Sequence, residues 1–115
     1  MDTTMKAFQE ERAELNELVM RYAGLTIKRF YALDTQVYQD GALPARTKEL
    51  LGLVASTVLR CDDCIKYHLG QCHALGVSSE ELEEALAVAL IVGGSIVIPH
   101  LRRAFKAWEE LLNEG

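Results

Sequence analysis

The sequence predicts an all-α protein of about six helices. Apolar residues recur every three or four positions through most of the chain, as on one face of a helix, and no stretch alternates like a half-buried strand. Glycine and proline separate the periodic stretches, at positions where helices begin or end. Of the 115 residues, 50% are apolar and 25% are charged, so we expect one globular domain over residues 1–115.

The first half of the chain is predicted to carry three helices. An amphipathic helix runs over residues 5–22 and ends before Gly24, and a second follows from about Ile27 and ends near Asp40-Gly41. Pro44 stands where the start of a helix tolerates proline, so a third helix is expected from there to about Arg60.

The second half is predicted to carry three more helices. The fourth opens at Cys61-Asp62-Asp63-Cys64 and ends at Gly76, which suits a left-handed C-terminal cap. Ser78 and Glu81 have the spacing of a capping box and start the fifth. A break at Gly93-Gly94 precedes the sixth helix, whose periodic apolar residues are Phe105, Trp108, Leu111 and Leu112.

The segment 85–101 has no formally charged residue when His100 is counted as neutral. We do not predict a membrane span, because Gly93-Gly94 and Pro99 interrupt the segment and about 20 apolar residues are needed to cross a bilayer. Helices that are apolar nearly all round must be buried on several sides. A small domain covers such a segment poorly by itself, so we expect a homo-oligomer.

The net charge and the cysteine content limit which partners and which cellular compartment we expect. The net charge of −5 and the scattered Lys and Arg residues argue against nucleic acid as a partner. No signal peptide is recognisable at the start of the sequence, so we expect a reducing, cytoplasmic location. In that setting a close pair of cysteines favours a catalytic or metal-binding role over a structural disulfide.

Cys61, Cys64 and His68 are the strongest functional signal. On a helix with 100° per residue, Cys64 lies about 60° and His68 about 20° from Cys61, so all three share one stripe. Two thiols at this spacing can form a disulfide, and a histidine one turn after Cys64 can take its proton. A cysteine at a helix N-terminus also gains stabilisation of its thiolate. We therefore predict dithiol redox chemistry.

Three other interpretations of the cysteines compete with this one. Cys61, Cys64, His68 and Cys72 could ligate zinc, but structural zinc sites draw ligands from two elements and these four share one helix. A thioredoxin-like fold needs a βαβ context that the sequence lacks. A redox-switch protein, in which the disulfide alters assembly without turnover, is the non-enzymatic alternative.

Glu49 lies twelve residues before Cys61 on the third helix. Its helix face also carries the small residues Gly52 and Ser56, which let another helix approach closely. This pattern would bring Glu49 into a helix contact, where it could orient a histidine.

Together, Glu49, the Cys61-x-x-Cys64 pair and His68 resemble the alkyl hydroperoxidase D (AhpD)-like branch of the carboxymuconolactone decarboxylase family. The matching stretch runs from about Pro44 to 94 and includes the serine-glutamate helix start and the glycine break. The resemblance implies an all-helical subunit that assembles into trimers or hexamers.

The resemblance also implies a disulfide-cycling site that reduces hydroperoxides. By motif position Cys64 matches the thiol that attacks the peroxide and Cys61 the resolving thiol, while His68 and Glu49 match a proton relay. An external dithiol, from a lipoylated or thioredoxin-like protein, would reduce the disulfide. The cycle requires no metal or organic cofactor. The decarboxylase branch lacks this cysteine pair, which argues against lactone chemistry here.

One departure from the AhpD pattern concerns Asp63, which stands where that type carries a histidine. Two aspartates between the thiols favour the first helical turn but, as anions, should raise the pKa of the thiols. Our hypothesis from the sequence is a slow peroxidase, or a disulfide reductase for another partner.

The remaining notable side chains are predicted to serve packing. Cys72 is expected to be buried as a small apolar residue and His73 to lie at the surface. His100 is expected to take part in packing or an interface, with the lining of the pocket as the alternative. Trp108 is expected in the core or a subunit contact, and Tyr67 could shape the mouth of a pocket.

Overall fold

The computed structural model describes residues 4–114, which form six α-helices and one 3₁₀ turn, Ser95–Val97, with no β-strand in that range. The all-α prediction is thus confirmed. The helices are α1 Met5–Tyr22, α2 Leu25–Val37, α3 Ala45–Val58, α4 Asp62–Ala74, α5 Ser79–Gly93 and α6 Ile98–Glu114.

The helix ends follow the local signals in the sequence. Ser78 forms the predicted capping box, accepting the N–H of Glu81 at 3.1 Å while its own N–H donates to the Glu81 carboxylate at 2.9 Å. Gly94 ends α5 with φ of 83°, a conformation that glycine adopts without strain. A side chain at Gly93 would collide with Val97, so glycine there permits the tight return of the chain into α6.

The chain divides into two compact units, residues 1–45 and 46–115. The first contains α1 and α2. Thr4 caps α1 by accepting the N–H of Ala7 at 3.2 Å, and Asp40 accepts the N–H of Ala45 at 2.7 Å. No residue of α2 is buried, although the helix carries several large apolar side chains. A single domain over residues 1–115 stays a prediction.

The second unit contains α3 to α6 and has a continuous apolar core. In it α4 packs against α6, and the indole N–H of Trp108 donates to the Ser79 hydroxyl at 2.9 Å, which ties α6 to the start of α5. The buried side chains of this core include Leu53, Ile65, Leu69, Leu82, Leu86, Val97, Ala104, Trp108 and Leu111.

The uncharged segment 85–101 forms the later part of α5, the 3₁₀ turn and the start of α6. Within residues 4–114, no helix has the length and apolar character that a membrane crossing requires. Several of the segment's large apolar side chains are exposed on the single chain: Val88, Ile91, Val92, Ile96 and Ile98.

Candidate active site

The turn between α3 and α4 positions Cys61. Arg60 adopts φ of 61° and donates its N–H to the Thr57 carbonyl at 3.0 Å, while the Cys61 N–H reaches the Ser56 carbonyl at 3.1 Å. These two bonds satisfy the last carbonyls of α3 in the manner of a Schellman motif. Glycine usually occupies the left-handed position, as Gly76 does after α4 with φ of 80°, so Arg60 holds a conformation that is unusual for its residue type.

Cys61 is the N-cap of α4 and is bonded to Cys64. The residue has extended backbone angles, φ −104° and ψ 98°, so it lies just outside the helix. Its Cα is 5.3 Å from that of Cys64, within the range of a disulfide. The Cys64 N–H donates to the Cys61 sulfur at 3.3 Å. A thiolate at Cys61 would therefore meet a backbone donor and the positive end of the α4 dipole.

Glu49 and His68 form a buried pair. His68 Nδ1 lies 2.7 Å from Glu49 Oε1, and the two residues are only 7% and 4% exposed. A carboxylate only accepts hydrogen bonds, so Nδ1 carries a proton, and in the neutral form of the ring the lone pair is then on Nε2. Glu49 comes from the buried face of α3 and His68 from α4. The structure thus places Glu49 inside a helix contact, as its small neighbours indicated.

A second carboxylate–histidine pair joins the first residue of α4 to α6. Asp62 Oδ1 lies 2.8 Å from His100 Nδ1, and Asp62 Oδ2 accepts from Arg103 Nε at 2.8 Å. The sequence interpretation of His100 as a packing or interface residue missed this contact. The partners are 38 and 41 positions apart, so helical periodicity carries no signal for it.

The surroundings of Asp62 lower the pKa of its carboxyl group. Partial burial acts to raise it, but the hydrogen bond from His100 and the positive charge of Arg103 outweigh burial. Asp62 is therefore an ionised group, and Arg103 is its permanent cationic partner. Asp63, the other aspartate between the thiols, is exposed.

Cys72 is buried, as expected, and carries the one free thiol of the described residues. Burial raises the pKa of this thiol to about 12, and the nearby charge of Glu49 acts in the same direction. Within residues 4–114, no group of three or more His, Cys, Asp or Glu side chains is arranged to hold a metal ion.

Two aromatic contacts complete the surroundings. The Tyr67 ring stands edge-on to His68 with centroids 5.1 Å apart, and its hydroxyl accepts from Gln71 at 3.0 Å. His73 is half-buried and packs edge-on against Trp108 at 5.8 Å. The expectation of a surface position for His73 was incomplete, because the helical wheel does not show that α6 passes beside that face.

Comparison with known families places the chain. Residues 25–110 match the model of the carboxymuconolactone decarboxylase family. The chain therefore belongs to this family, as the resemblance indicated. It is also 32% identical over 82 residues to uncharacterized protein 4 in the cox locus of Paracoccus denitrificans, a match that covers 71% of this chain and 74% of that protein.

Solved structures agree with this assignment. A crystal structure of TM1620 from Thermotoga maritima has 60% sequence identity and a TM-score of 0.92, covering 95% of this chain and 96% of that one. A second crystal structure of TM1620 has 62% identity and a TM-score of 0.88, with 93% and 91% coverage. A family member from Legionella pneumophila, lpg0406, shares 25% identity with a TM-score of 0.86, over 93% and 96% of the two chains.

Proposed function

We propose that this protein is an AhpD-like thiol peroxidase that reduces alkyl hydroperoxides through the Cys61–Cys64 pair. The observation that carries the proposal is the buried hydrogen bond between Glu49 of α3 and His68 of α4, the helix that begins at the cysteine pair. A cysteine pair with an oriented imidazole one helical turn after Cys64 has the groups that peroxide reduction needs. The description of one TM1620 structure suggests a part in an antioxidative response for that protein, which is in keeping with such an activity.

In the oxidative half of the cycle, His68 takes the proton of the Cys64 thiol through Nε2. The thiolate attacks one peroxide oxygen, the O–O bond breaks, and the alkoxide leaves as an alcohol after taking up a proton. Cys64 is now a sulfenic acid. Cys61 attacks this sulfur, the hydroxyl leaves as water, and the Cys61–Cys64 disulfide forms.

In the reductive half, an external dithiol restores the pair. Cys64 is exposed whereas Cys61 is half-buried, so the incoming thiolate reaches the Cys64 sulfur more readily. Cys61 then leaves as a thiolate that accepts the Cys64 N–H at the helix start. The second thiol of the donor releases Cys64 and leaves the donor as a disulfide. A lipoylated or thioredoxin-like protein has the required chemistry.

Glu49 orients His68 and stabilises its protonated form. The carboxylate fixes the proton on Nδ1, which makes Nε2 the base, and it offers a countercharge once the ring accepts a second proton. Because the pair is buried, this electrostatic support is stronger than it would be in water.

We further propose that the protein works as a homo-oligomer, a trimer or hexamer by family resemblance, in the cytoplasm. Large apolar side chains exposed on the single chain support an assembly that covers them. On α2 these are Leu25, Ile27, Phe30, Tyr31, Leu33 and Val37, and on α5 they are Val88, Ile91 and Val92.

The test is consumption of cumene hydroperoxide and of hydrogen peroxide with dihydrolipoamide as the reductant. Wild type should turn over many equivalents per subunit, and Cys61→Ser and Cys64→Ser should each lose turnover. Cys72→Ser is the matched control and should keep it. A wild type that forms one disulfide per oxidant pulse without turnover would refute the peroxidase and indicate a redox switch.

A further inference from the structure

The cluster of Asp62, His100 and Arg103 has no part in the cycle described above. One of its members, Asp62, nevertheless directly follows Cys61 in the sequence. Asp62 is the residue between Cys61 and Asp63 and begins α4. Both of its carboxylate oxygens are occupied, one by His100 Nδ1 and the other by Arg103 Nε, each at 2.8 Å. The cluster therefore fastens the cysteine-bearing end of α4 to α6.

The hydrogen-bond partners in this cluster indicate which nitrogen of His100 carries a proton. Arg103 Nη2 also lies 3.3 Å from His100 Nδ1. Arginine only donates, and an ionised Asp62 only accepts, so Nδ1 can serve one of them but not both. The shorter distance to Asp62 and the negative charge of its carboxylate favour Nδ1 as a donor, which places the proton on Nδ1. The carboxylate thus receives two donors, and at least one of them is a permanent cation.

Charge balance gives this arrangement a consequence for the thiols. An anion next to a thiol opposes a second anion and disfavours the thiolate. Because Arg103 is paired with Asp62, their two charges offset each other. Of the two aspartates between the thiols, Asp63 is then the one whose negative charge the cluster does not offset. The side chains of Asp62 and Arg103 are 35% and 49% exposed, so solvent screens part of the effect.

We propose that His100 and Arg103 are positioning residues for the dithiol: by holding and neutralising Asp62, they keep Cys61 at the N-cap of α4 and keep its thiolate accessible at neutral pH. The inference deepens the proposed peroxidase function, because both halves of that cycle pass through a Cys61 thiolate or thiol. It concerns thiol reactivity, however, which is measurable without any turnover.

Other titratable or charged groups lie on the elements that carry the site, and the test must separate the cluster from them. Together with the cluster, they come from α3, α4, α6 and the turn before α4: Glu49, Arg60, Asp62, Asp63, His68, His100 and Arg103. Arg102 provides a matched control for Arg103, because it is an exposed arginine on the same helix and is not part of the cluster.

The experiment follows the alkylation rate of Cys61 by iodoacetamide from pH 5 to 10 in the full-length, reduced Cys64→Ser protein. Arg103→Gln should move the profile to higher pH and lower the rate at pH 7 about three- to tenfold. Arg102→Gln should leave the profile in place, and Arg103→Lys, which keeps the charge, should retain most of the rate.

A double mutant gives the sharper comparison. Once Asp62→Asn has removed the anion, adding Arg103→Gln should lower the rate far less than it does with Asp62 present. Equal effects of Arg103→Gln and Arg102→Gln, or an undiminished effect in the Asp62→Asn protein, would overturn the inference. Turnover assays on the Cys64-containing proteins separate the two proposals: coupled reactivity without peroxide turnover would retain the cluster's role and reject the peroxidase.

Discussion

The protein builds two carboxylate–histidine pairs with one helix, and α4 plays the opposite part in each. It supplies the histidine to the Glu49–His68 pair and the carboxylate to the Asp62–His100 pair. The first pair is buried, with side chains 6% and 9% exposed. The second is partly exposed, with the His100 and Asp62 side chains 16% and 35% exposed, and Arg103 adds a third member.

This difference in surroundings separates two roles for the same chemical groups. A buried carboxylate–histidine pair can move a proton in a protected setting, where electrostatic effects are strong. A partly exposed carboxylate held by arginine is fixed in its ionised form and cannot serve as a base at neutral pH. Glu49–His68 therefore suits proton transfer, and Asp62–His100–Arg103 suits positioning.

The largest expected difference is in the reactivity of Cys72, near Glu49, and Cys61, next to Asp62. Burial, assisted by the charge of Glu49, raises the pKa of Cys72 to about 12, whereas Cys61 lies at a helix start. In the reduced protein at pH 8, we expect Cys72 to react with iodoacetamide at least about a thousandfold more slowly than Cys61. Peptide mass spectrometry over a time course measures both rates. Comparable labelling of Cys72 in the folded protein would contradict the assigned burial.

Neutralising the carboxylate of each pair should lower hydroperoxide turnover by very different factors. Glu49→Gln keeps the size of the side chain but removes the charge that supports protonated His68, so we expect hydroperoxide turnover to fall about 100-fold or more. Asp62→Asn should change it by less than about tenfold. Steady-state kcat and kcat/KM for both variants provide the comparison. Equal losses would mean that burial does not distinguish the pairs.

Removing the histidine of each pair should lower the free energy of unfolding by different amounts. His68→Ala leaves a buried carboxylate without its partner and should lower the free energy of unfolding by about 2–4 kcal/mol. His100→Ala leaves Asp62 with Arg103 and access to water, and should cost about 1 kcal/mol. Urea unfolding followed by circular dichroism measures both. A reversed order would contradict the assignment of the buried pair as the more tightly coupled one.

The smallest expected effect is the pH dependence of the stability that Asp62 contributes. Because the pKa of Asp62 lies below its usual value in the folded protein, its contribution to stability is complete above about pH 4, the ordinary aspartate range. The contribution is lost as the pH falls through the folded pKa. The gap in melting temperature between wild type and Asp62→Asn should therefore persist at pH 6 and close in stronger acid. A gap that widens below pH 4 would contradict the sign of this linkage.

Local patterns in the sequence predicted the local structure well. Periodicity gave the helices, and the Ser78–Glu81 spacing gave the capping box. The stripe from Cys64 to His68 follows from helix geometry alone. Cys61, at the mouth of this helix, is its N-cap. Arg60, in a conformation usually taken by glycine, could not be foreseen because nothing in its residue type favours the left-handed region.

The long-range contacts depended on a different kind of information. The small residues on the Glu49 face indicated a close helix, but the partner His68 came from the family resemblance. No comparable guide existed for Asp62, His100 and Arg103, because each lies on a helix whose sequence pattern is satisfied without the contact. Side-chain pairing across helices depends on how α4 and α6 cross, which single-helix periodicity does not determine.

The most direct test of the proposed chemistry is to trap the oxidised sulfur. Reduced Cys61→Ser protein, treated with one equivalent of cumene hydroperoxide in the presence of dimedone, should gain one adduct on Cys64, because the sulfenic acid has no resolving thiol. Mass spectrometry of the peptides locates the adduct, and Cys64→Ser should show none at Cys61. If neither variant accepts oxygen from the peroxide while the wild-type disulfide still exchanges with dihydrolipoamide, the peroxidase account is contradicted and the pair is a disulfide exchanger.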